Sequence, residues 1–173
     1  MQLSTRGRYA VMAMLDLAKM QHPDGDTGRT IPITLAQIAD RQSISLSYLE
    51  QLFAKLRKAH LVKSVRGPGG GYILAKEPDN TWLSDVVHAV NEPMGVTRCG
   101  LTEGSAKEKG CVKGTQCNGH DLWVALGKHI DLFMSTISLQ MVLDGDVKDS
   151  VPVLLCEPNR DVVTKVRIDG SLS

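Results

Sequence analysis

The feature that most constrains the fold is a pair of helical patterns between residues 34 and 60, separated by a short polar break. The first starts at Thr34-Leu35-Ala36-Gln37, a capping box in which the Thr hydroxyl and the Gln side chain satisfy free backbone groups. It is expected to end near Arg41, before Gln42-Ser43-Ile44-Ser45. The second pattern, Leu46 to His60, places five apolar residues on one face, which are Leu46, Leu49, Leu52, Phe53 and Leu56. Two helices joined by so short a break predict a helix-turn-helix.

The opposite face of the second helix is polar and basic. It presents Ser47, Tyr48, Glu50 and Gln51 early, followed by Lys55, Arg57 and Lys58. The early positions are those that a recognition helix turns toward base edges, and hydroxyl, amide and basic groups are the types that contact bases and phosphates. A solvated helix surface explains the same residues, so this face alone does not decide between the two interpretations.

Two short β-prone runs follow, LVKSVR from Leu61 to Arg66 and YILAK from Tyr72 to Lys76, on either side of the glycine-rich stretch 67–71. They predict a β-hairpin whose tip allows close approach to a partner. A nucleotide-binding loop is excluded because Tyr72 stands where a GxGxxG pattern needs its third glycine, and no Gly-Lys-Ser/Thr follows. A helix-turn-helix followed by a basic hairpin predicts a winged helix, with Arg66 placed to enter a minor groove.

Positive charge is concentrated in the first half of the chain. Residues 1 to 76 contain 11 Lys/Arg against 5 Asp/Glu, whereas the remainder contains 9 against 14, so we expect the first half to meet a polyanion. The sequence has no apolar run long enough to span a membrane, and we expect a cytoplasmic protein. No Ser/His/Asp arrangement, paired acid motif or cofactor fingerprint supports catalysis, so an enzyme is not expected.

The stretch RCGLTEGSAKEKGCVKGTQCNGH, from Arg98 to His120, contains three of the chain's four cysteines. Its spacing is Cys99-x11-Cys111-x5-Cys117-x2-His120. Thiolates and an imidazole suit zinc or iron–sulfur iron, and not calcium or magnesium. A structural zinc site, an iron–sulfur site and a group of switchable thiols are all compatible with this spacing in a reducing compartment. The fourth cysteine, Cys156, is isolated near the end and is interpreted as a spare thiol.

Two further helical patterns flank this cysteine stretch. Thr81 to Asn91 predicts a helix with Leu83, Val86, Val87 and Val90 inward, and His88 beside that stripe is interpreted as a structural histidine. Asp121 to Val142 is the longest pattern, with a stripe of Leu122, Leu126, Ile130, Phe133, Ile137 and Met141 and flanking Trp123, Leu132, Met134 and Leu139. So broad an apolar surface exceeds what one small domain covers, and it predicts a dimerisation helix. A two-fold dimer would read a pseudo-palindromic operator in double-stranded DNA.

The strings SISLSYLEQLFAKLRKAHLV and SVRGPGGGY closely resemble winged-helix regulators of the IscR type, which control iron–sulfur cluster assembly in bacteria. The resemblance covers about residues 1 to 142. It implies a mainly α fold, with a winged helix-turn-helix DNA-binding domain, a β-hairpin wing and a long dimerisation helix. It implies that operator DNA is contacted by Ser45, Ser47, Tyr48 and Gln51, with Arg66 acting from the wing. Glu50 would bias operator choice, because a carboxylate accepts from a cytosine amino group and repels phosphate. Lys55 completes the predicted DNA-binding set through its charge.

In proteins of this type, three cysteines and a histidine hold a 2Fe-2S cluster. Cys99, Cys111, Cys117 and His120 match those ligands in order and in the last two intervals. The first interval is longer here, by an insertion that contains residues 103–109. Since a longer polar loop costs little entropy, we expect the ligands to be kept, although the lability of the cluster can change. An imidazole ligand is neutral whereas a thiolate is charged, which raises the reduction potential and loosens the site.

The resemblance therefore implies an iron–sulfur-sensing regulator that acts as a homodimer and represses cluster-assembly genes, with cluster occupancy changing operator choice. The iron–sulfur assembly machinery is its expected cluster source, and no membrane partner is expected. Two alternatives remain open: a nitric-oxide-sensing branch of the family, which typically lacks a histidine at position 120, and an iron–sulfur carrier or zinc-stabilised interaction protein. The expected organisation is a winged-helix domain at 1–80, a connecting helix at 81–98, a cluster loop at 99–120, a dimerisation helix at 121–143 and a flexible tail at 144–173.

Overall fold

A computed structural model of the protein describes residues 4–21, 30–90 and 118–148. These ranges contain six α-helices, which are α1 (Thr5–Met20), α2 (Leu35–Gln42), α3 (Leu46–Lys58), α4 (Leu83–Ala89), α5 (His120–Thr136) and α6 (Leu139–Asp144). They also contain the strands β1 (Val62–Val65) and β2 (Gly71–Leu74), and 3-10 turns at Pro78–Asn80 and Asp146–Lys148. The predicted mainly α fold is confirmed. Cys99, Cys111, Cys117, Cys156 and the tail beyond residue 148 lie outside the described residues.

The helix-turn-helix forms where the capping box predicts it. The Thr34 hydroxyl accepts from the Gln37 backbone N–H at 3.3 Å, and the Gln37 side chain accepts from the Thr34 N–H at 2.9 Å. The turn between α2 and α3 contains Ser43 in the left-handed conformation, with φ of 53°. A left-handed residue at the end of a helix reverses the chain and lets the next helix start at once.

The second helix begins at Leu46 as predicted, but it ends earlier than expected and leaves Leu46 exposed. α3 ends at Lys58 and not at His60, because His60 has a φ of 59°, which no helix continues. Leu46 is 44% exposed although it was expected to be buried with the rest of its stripe. It lies in the first turn of α3, on an exposed side of the helix. Leu49, Leu52, Phe53 and Leu56 are buried as predicted.

The core of the winged domain is built around α1. Ala10, Ala13, Met14 and Leu17 are fully buried in it, and Ala18 is 6% exposed. Val11 and Leu15, beside this face, are only partly buried. Small alanines allow the backbones of α2, α4 and α6 to approach α1 closely, while Met14 and Leu17 contribute the large buried side chains.

The hairpin of β1 and β2 is the predicted wing, in antiparallel register with Val62 opposite Leu74 and Val65 opposite Gly71. The outer side of β2 is also occupied. Tyr72 and Ile33 exchange two backbone hydrogen bonds, of 2.8 and 3.0 Å. β2 is thus held between β1 and the residue that precedes the capping box, which fixes the base of the wing to the helix-turn-helix.

The C-terminal helical pattern is broken in two, so the prediction of one helix from Asp121 to Val142 is wrong. α5 ends at Thr136, and Ile137 is extended, with φ of −104° and ψ of 118°. Here the chain pairs with the residues before α4: the Leu83 N–H donates to the Ile137 carbonyl, and the Leu139 N–H donates to the Thr81 carbonyl, both at 3.0 Å. The Ser138 hydroxyl accepts from the Met141 N–H and starts α6.

α5 is the most weakly covered helix of the described chain. It packs against α4, while α6 returns to α1. Gly127 is the buried residue of α5, whereas Leu122 and Leu132 are more than 60% exposed and Trp123 and Leu126 are each 36% exposed. Among the described residues, no helix combines the length and apolar character that crossing a bilayer requires.

Candidate functional site

The exposed face of α3 carries polar side chains that the fold itself does not use for packing. Ser47, Glu50 and Gln51 are exposed on it, one turn from the N-terminus. Ser45 is the N-cap of α3, but its side chain makes no capping hydrogen bond. A serine at this position usually accepts from the backbone of the next turn. Ser45 is exposed, so its hydroxyl is accessible beside the polar face.

Tyr48 is held at the edge of this face by a stack of side chains from α1. Its ring meets the ring of Tyr9 edge-on, with centroids 6.0 Å apart and an interplanar angle of 84°. The Arg8 guanidinium lies 5.4 Å from the centre of the Tyr9 ring. Edge-to-face pairs and cations over aromatic rings are both favourable arrangements. The stack fixes the start of α3 against α1 and brings the charge of Arg8 close to the polar face.

A buried carboxylate ties α1 to α2. Asp16 is 7% exposed and accepts hydrogen bonds from Arg41 Nη2 at 2.7 Å, from Arg41 Nε at 3.1 Å and from Gln42 Nε2 at 2.9 Å. The hydrogen bonds that Arg41 donates to Asp16 raise the pKa of the Arg41 guanidinium above its ordinary value. Because a two-point Arg–carboxylate contact has a fixed geometry, this pair sets the angle at which α2 leads into α3.

The wing presents Arg66 at the end of β1, fully outside the core. The strand behind it is held by Gln21, the C-terminal cap of α1. The Gln21 side chain accepts from the Leu74 N–H at 3.0 Å and donates to the Tyr72 carbonyl at 3.4 Å. Gly71 has no room for a side chain, since a Cβ there would lie 2.5 Å from the Ile33 carbonyl oxygen. The base of the wing is therefore tightly fitted, while Gly67 and Gly69 at its tip have open space around them.

Lys55 lies apart from the other predicted DNA-binding residues. It is half-buried on the side of α3 that faces α4, and its Nζ donates to the Val90 carbonyl at 3.3 Å. Val90 is the C-terminal cap of α4. The structure thus brings Ser45, Ser47, Tyr48, Glu50 and Gln51 together on one surface, with Arg66 on the adjoining wing, and gives Lys55 a partner within the chain.

His120 is the described member of the predicted ligand set, and it is the first residue of α5. Its Nδ1 atom is buried, and none of the described residues forms a hydrogen bond with it. A buried imidazole nitrogen without a partner is costly, whereas a metal ligand in this position has the partner supplied. The Trp123 indole lies against Gly119, the residue before His120. A Cβ added to Gly119 would be 3.1 Å from Trp123 Nε1. The chemistry and the burial of His120 therefore fit a ligand position.

His88 has a structural partner, as its interpretation from the sequence requires. Its Nε2 lies 3.1 Å from Asp131 Oδ1, between α4 and α5, and both side chains are about half exposed. Within residues 4–21, 30–90 and 118–148, no three His, Cys, Asp or Glu side chains form a group that could hold a metal.

Four functional contacts were not found from the sequence: Asp16 with Arg41, Gln21 with β2, Tyr9 with Tyr48, and Lys55 with Val90. Each joins residues that are distant in the chain, so no local spacing indicates it. The strongest signal available was Asp16 itself, a carboxylate among the apolar residues of α1, because a buried charge needs a partner.

Comparison with known proteins gives a consistent result. A family model described as Rrf2, iron-dependent transcriptional regulator, matches residues 3–145. The HTH-type transcriptional regulator IscR of Aliivibrio salmonicida is 48% identical over 149 residues, which are 86% of this chain and 81% of that protein. The HTH-type transcriptional regulator ORF2 of Azotobacter vinelandii is 50% identical over 152 residues, covering 87% and 85% of the two chains. The solved structure of T. potens IscR has a TM-score of 0.62 at 36% identity, over 88% of this chain and 93% of that one.

Proposed function

The chain belongs to the Rrf2 family of iron-dependent transcriptional regulators, and from this membership we propose that it senses the supply of iron–sulfur clusters and represses cluster-assembly genes. It is a DNA-binding transcriptional regulator with a winged helix. The finer part of the proposal is that occupancy of a 2Fe-2S site changes which operators the protein binds. A regulator of this kind acts on DNA in the cytoplasm.

The observation that carries the proposal is the exposed polar start of α3 beside the exposed Arg66 of the wing. Ser45, Ser47 and Gln51 offer hydroxyl and amide groups to base edges and phosphates in a major groove. Arg66, exposed on the wing, would reach the adjoining minor groove. Glu50 lies on the same exposed face and would favour sites that offer a cytosine amino group.

Cys99, Cys111, Cys117 and His120 are the residues that would hold the 2Fe-2S cluster. The buried Nδ1 of His120, which has no hydrogen-bond partner among the described residues, supports this assignment. When bound, the cluster supplies an iron centre whose gain or loss follows cellular iron and sulfur supply. The protein's own part is to provide three thiolates and one imidazole, and to connect them to the DNA-reading surface through α4 and α5. The assembly machinery is the proposed source of the cluster.

A homodimer through α5 is the third part of the proposal. Leu122, Trp123 and Leu126 lie near one another along one side of the helix and are exposed. Exposed apolar side chains in such a row mark a surface that another protein covers. Since a closed two-fold contact repeats the same surface on both subunits, a second copy of α5 can cover this row. The resulting dimer would bind a pseudo-palindromic operator with half-sites one helical turn apart, about 34–36 Å.

Anaerobic purification with iron, sulfide and zinc analysis tests the cofactor. We expect iron and sulfide in equal amounts with visible absorption, and loss of both in Cys111→Ala. Zinc without sulfide would instead favour the zinc-stabilised interaction protein.

Operator binding tests the regulatory function. Duplexes selected from random-sequence DNA by the protein should be pseudo-palindromic, and their affinity should fall steeply with salt. The selected sequences should differ between cluster-loaded and cluster-free protein. A protein that passes its cluster to acceptor proteins and selects no DNA sequence would be a carrier. If DNA binding is lost only after nitric oxide treatment, the nitric-oxide-sensing branch is favoured.

A further inference from the structure

Lys55 connects the recognition helix to the point where the cysteine-containing stretch begins. We propose that Lys55 is a positioning residue: by holding the Val90 carbonyl, it couples the orientation of α3 to the path of the chain that leaves α4. The inference rests on the function proposed above and assigns a route to its regulation. It removes Lys55 from the residues that hold DNA directly.

The location of Lys55 on α3 supports this role. The side chain is half-buried, whereas Ser47, Gln51 and Lys58 are exposed. Its Nζ donates to the Val90 carbonyl at 3.3 Å. The last carbonyls of a helix lack intrahelical partners and carry partial negative charge, so an ammonium group at the end of α4 is favourable. Lys55 is therefore satisfied by α4 and is not directed to solvent or to a phosphate.

The acceptor of this hydrogen bond is sensitive to the direction of the chain beyond α4. The Val90 carbonyl belongs to the planar peptide unit that joins residues 90 and 91. Its orientation follows the ψ angle of Val90, which is 9° here. The same angle sets the direction in which the chain enters the stretch that contains Cys99, Cys111 and Cys117. A change in this ψ angle redirects the chain and turns the oxygen that Lys55 holds.

The packing around this contact is suited to transmit a displacement. The Val90 side chain is fully buried, in the same apolar cluster as Leu52 and Leu56 of α3. Close-packed interiors shift as units because they have little free volume to absorb a movement. A displacement of α4 therefore moves α3, and the hydrogen bond from Lys55 keeps the relative position of the two helices fixed.

α4 also contacts the helix at the other end of the cysteine stretch. It packs against α5, with His88 Nε2 lying 3.1 Å from Asp131 Oδ1. α5 begins at His120, the fourth proposed ligand. α4 thus lies between α5 and α3, and both ends of the ligand-bearing stretch leave from helices that touch each other. Lys55 extends this connection by a polar contact to the DNA-reading helix.

The test compares Lys55→Met with Lys58→Met in the full-length protein. Both remove one positive charge from α3, but among the described hydrogen bonds it is Lys55, and not Lys58, that donates to the end of α4. The probe is a duplex selected by wild-type cluster-loaded protein, and the measurement is the ratio of its Kd values for cluster-free and cluster-loaded forms. We expect the ratio to fall toward one by about fivefold or more in Lys55→Met, within the usual range of allosteric coupling. Lys58→Met should weaken both forms alike and keep the ratio, and Lys55→Arg should retain it.

A second measurement reports on the contact without cluster or DNA. Hydrogen exchange at residues 86–90 of the cluster-free protein should be faster in Lys55→Met and unchanged in Lys58→Met. If Lys55→Met keeps the wild-type ratio and lowers the salt dependence as Lys58→Met does, Lys55 is a phosphate contact and the inference is wrong while the proposed function stands. A wild-type ratio of one overturns the proposed function, and the coupling role is then rejected with it.

Discussion

The contact of Asp16 with Arg41 offers the sharpest stability prediction. Replacing Asp16 with alanine removes three hydrogen bonds from Arg41 and one from Gln42. It also leaves the Arg41 guanidinium without a counter-charge next to the buried space that Asp16 occupied. Since the pair joins α1 to α2, we expect the whole winged domain to lose stability.

The magnitude follows from the burial of the two partners. Breaking a fully buried ion pair costs about 3–5 kcal/mol, because the remaining charge is left unpaired. Asp16 meets that condition, with 6% of its side chain exposed, but the Arg41 side chain is 31% exposed and can be partly rehydrated. We therefore expect Asp16→Ala to lower the free energy of unfolding by about 2–3 kcal/mol, and the coupling energy with Arg41→Met to be about 1.5–2 kcal/mol.

A double-mutant cycle on Asp16→Ala and Arg41→Met, measured by urea unfolding, isolates this coupling energy. Asp40→Ala is the matched control, since it removes an exposed carboxylate next to Arg41 in the chain and should change stability by less than about 0.5 kcal/mol. A coupling energy below about 0.5 kcal/mol would refute the assignment of the pair as the clamp between α1 and α2. Because the pKa of Arg41 is raised in the folded state, the cation's contribution is present throughout the neutral range and is lost only at strongly alkaline pH.

Three further predictions concern the wing and α5. Gln21→Leu should lower stability by about 1–2 kcal/mol and speed hydrogen exchange at the Leu74 amide, since that N–H loses its acceptor. Gly71→Ala should destabilise by about 2 kcal/mol or more in urea unfolding, because the new Cβ would lie 2.5 Å from the Ile33 carbonyl oxygen. Leu126→Glu should convert the dimer into a monomer by light scattering, with its helical circular dichroism retained, because a carboxylate would be placed in the proposed interface.

Each of these has a control within the chain. Gln21→Glu keeps an acceptor for the Leu74 N–H and should lower stability less than Gln21→Leu. Equal losses of stability would show that this hydrogen bond to the Leu74 N–H does not contribute. Gly69→Asn has open space and a φ of 75°, which asparagine tolerates, so it should be nearly neutral. If Gly69→Asn lowers stability as much as Gly71→Ala does, crowding against Ile33 does not explain the loss of stability in Gly71→Ala. Lys128→Glu, exposed on another side of α5, should leave the dimer intact, and a dimer that survives Leu126→Glu would exclude this face as the interface.

Local chemistry made much of the fold predictable. The start of α2 follows from Thr34 and Gln37, whose side chains satisfy each other's backbone groups within four residues. The hairpin follows from two β-prone runs around a glycine-rich tip, and the inward face of α4 from the spacing of its valines. These signals act over one or two turns of chain, so they do not depend on which part of the molecule packs nearby.

The break after α5 could not be predicted in the same way. The stripe through Ile137 continues with helical spacing, and no proline or glycine lies between Lys128 and Val142. The interruption comes from backbone pairing with Thr81 and Leu83, residues more than fifty positions away. Ser138 was a weak local sign, because a serine can cap a new helix as well as continue an old one. The tertiary contact decided between these two outcomes.

The proposed DNA-binding residues were predictable as an exposed face of α3, but their individual contacts were not. Helical spacing correctly grouped Ser47, Glu50 and Gln51 on the exposed side of α3. Lys55 was added for its charge, and its contact with Val90 depends on where α4 ends, which the spacing of α3 does not report.

The pairing of Ile33 with Tyr72 has a consequence for how the protein behaves at high concentration. A two-stranded ribbon normally leaves both of its margins free to recruit strands from other molecules, which is a common start of aggregation. Here the margin formed by β2 is already filled by Ile33 and by the amide of Gln21. Foreign strands cannot add to that margin, and the opposite one, on β1, carries the exposed charge of Lys63. A flexible, glycine-rich element can therefore project into solvent without acting as a seed for polymerisation.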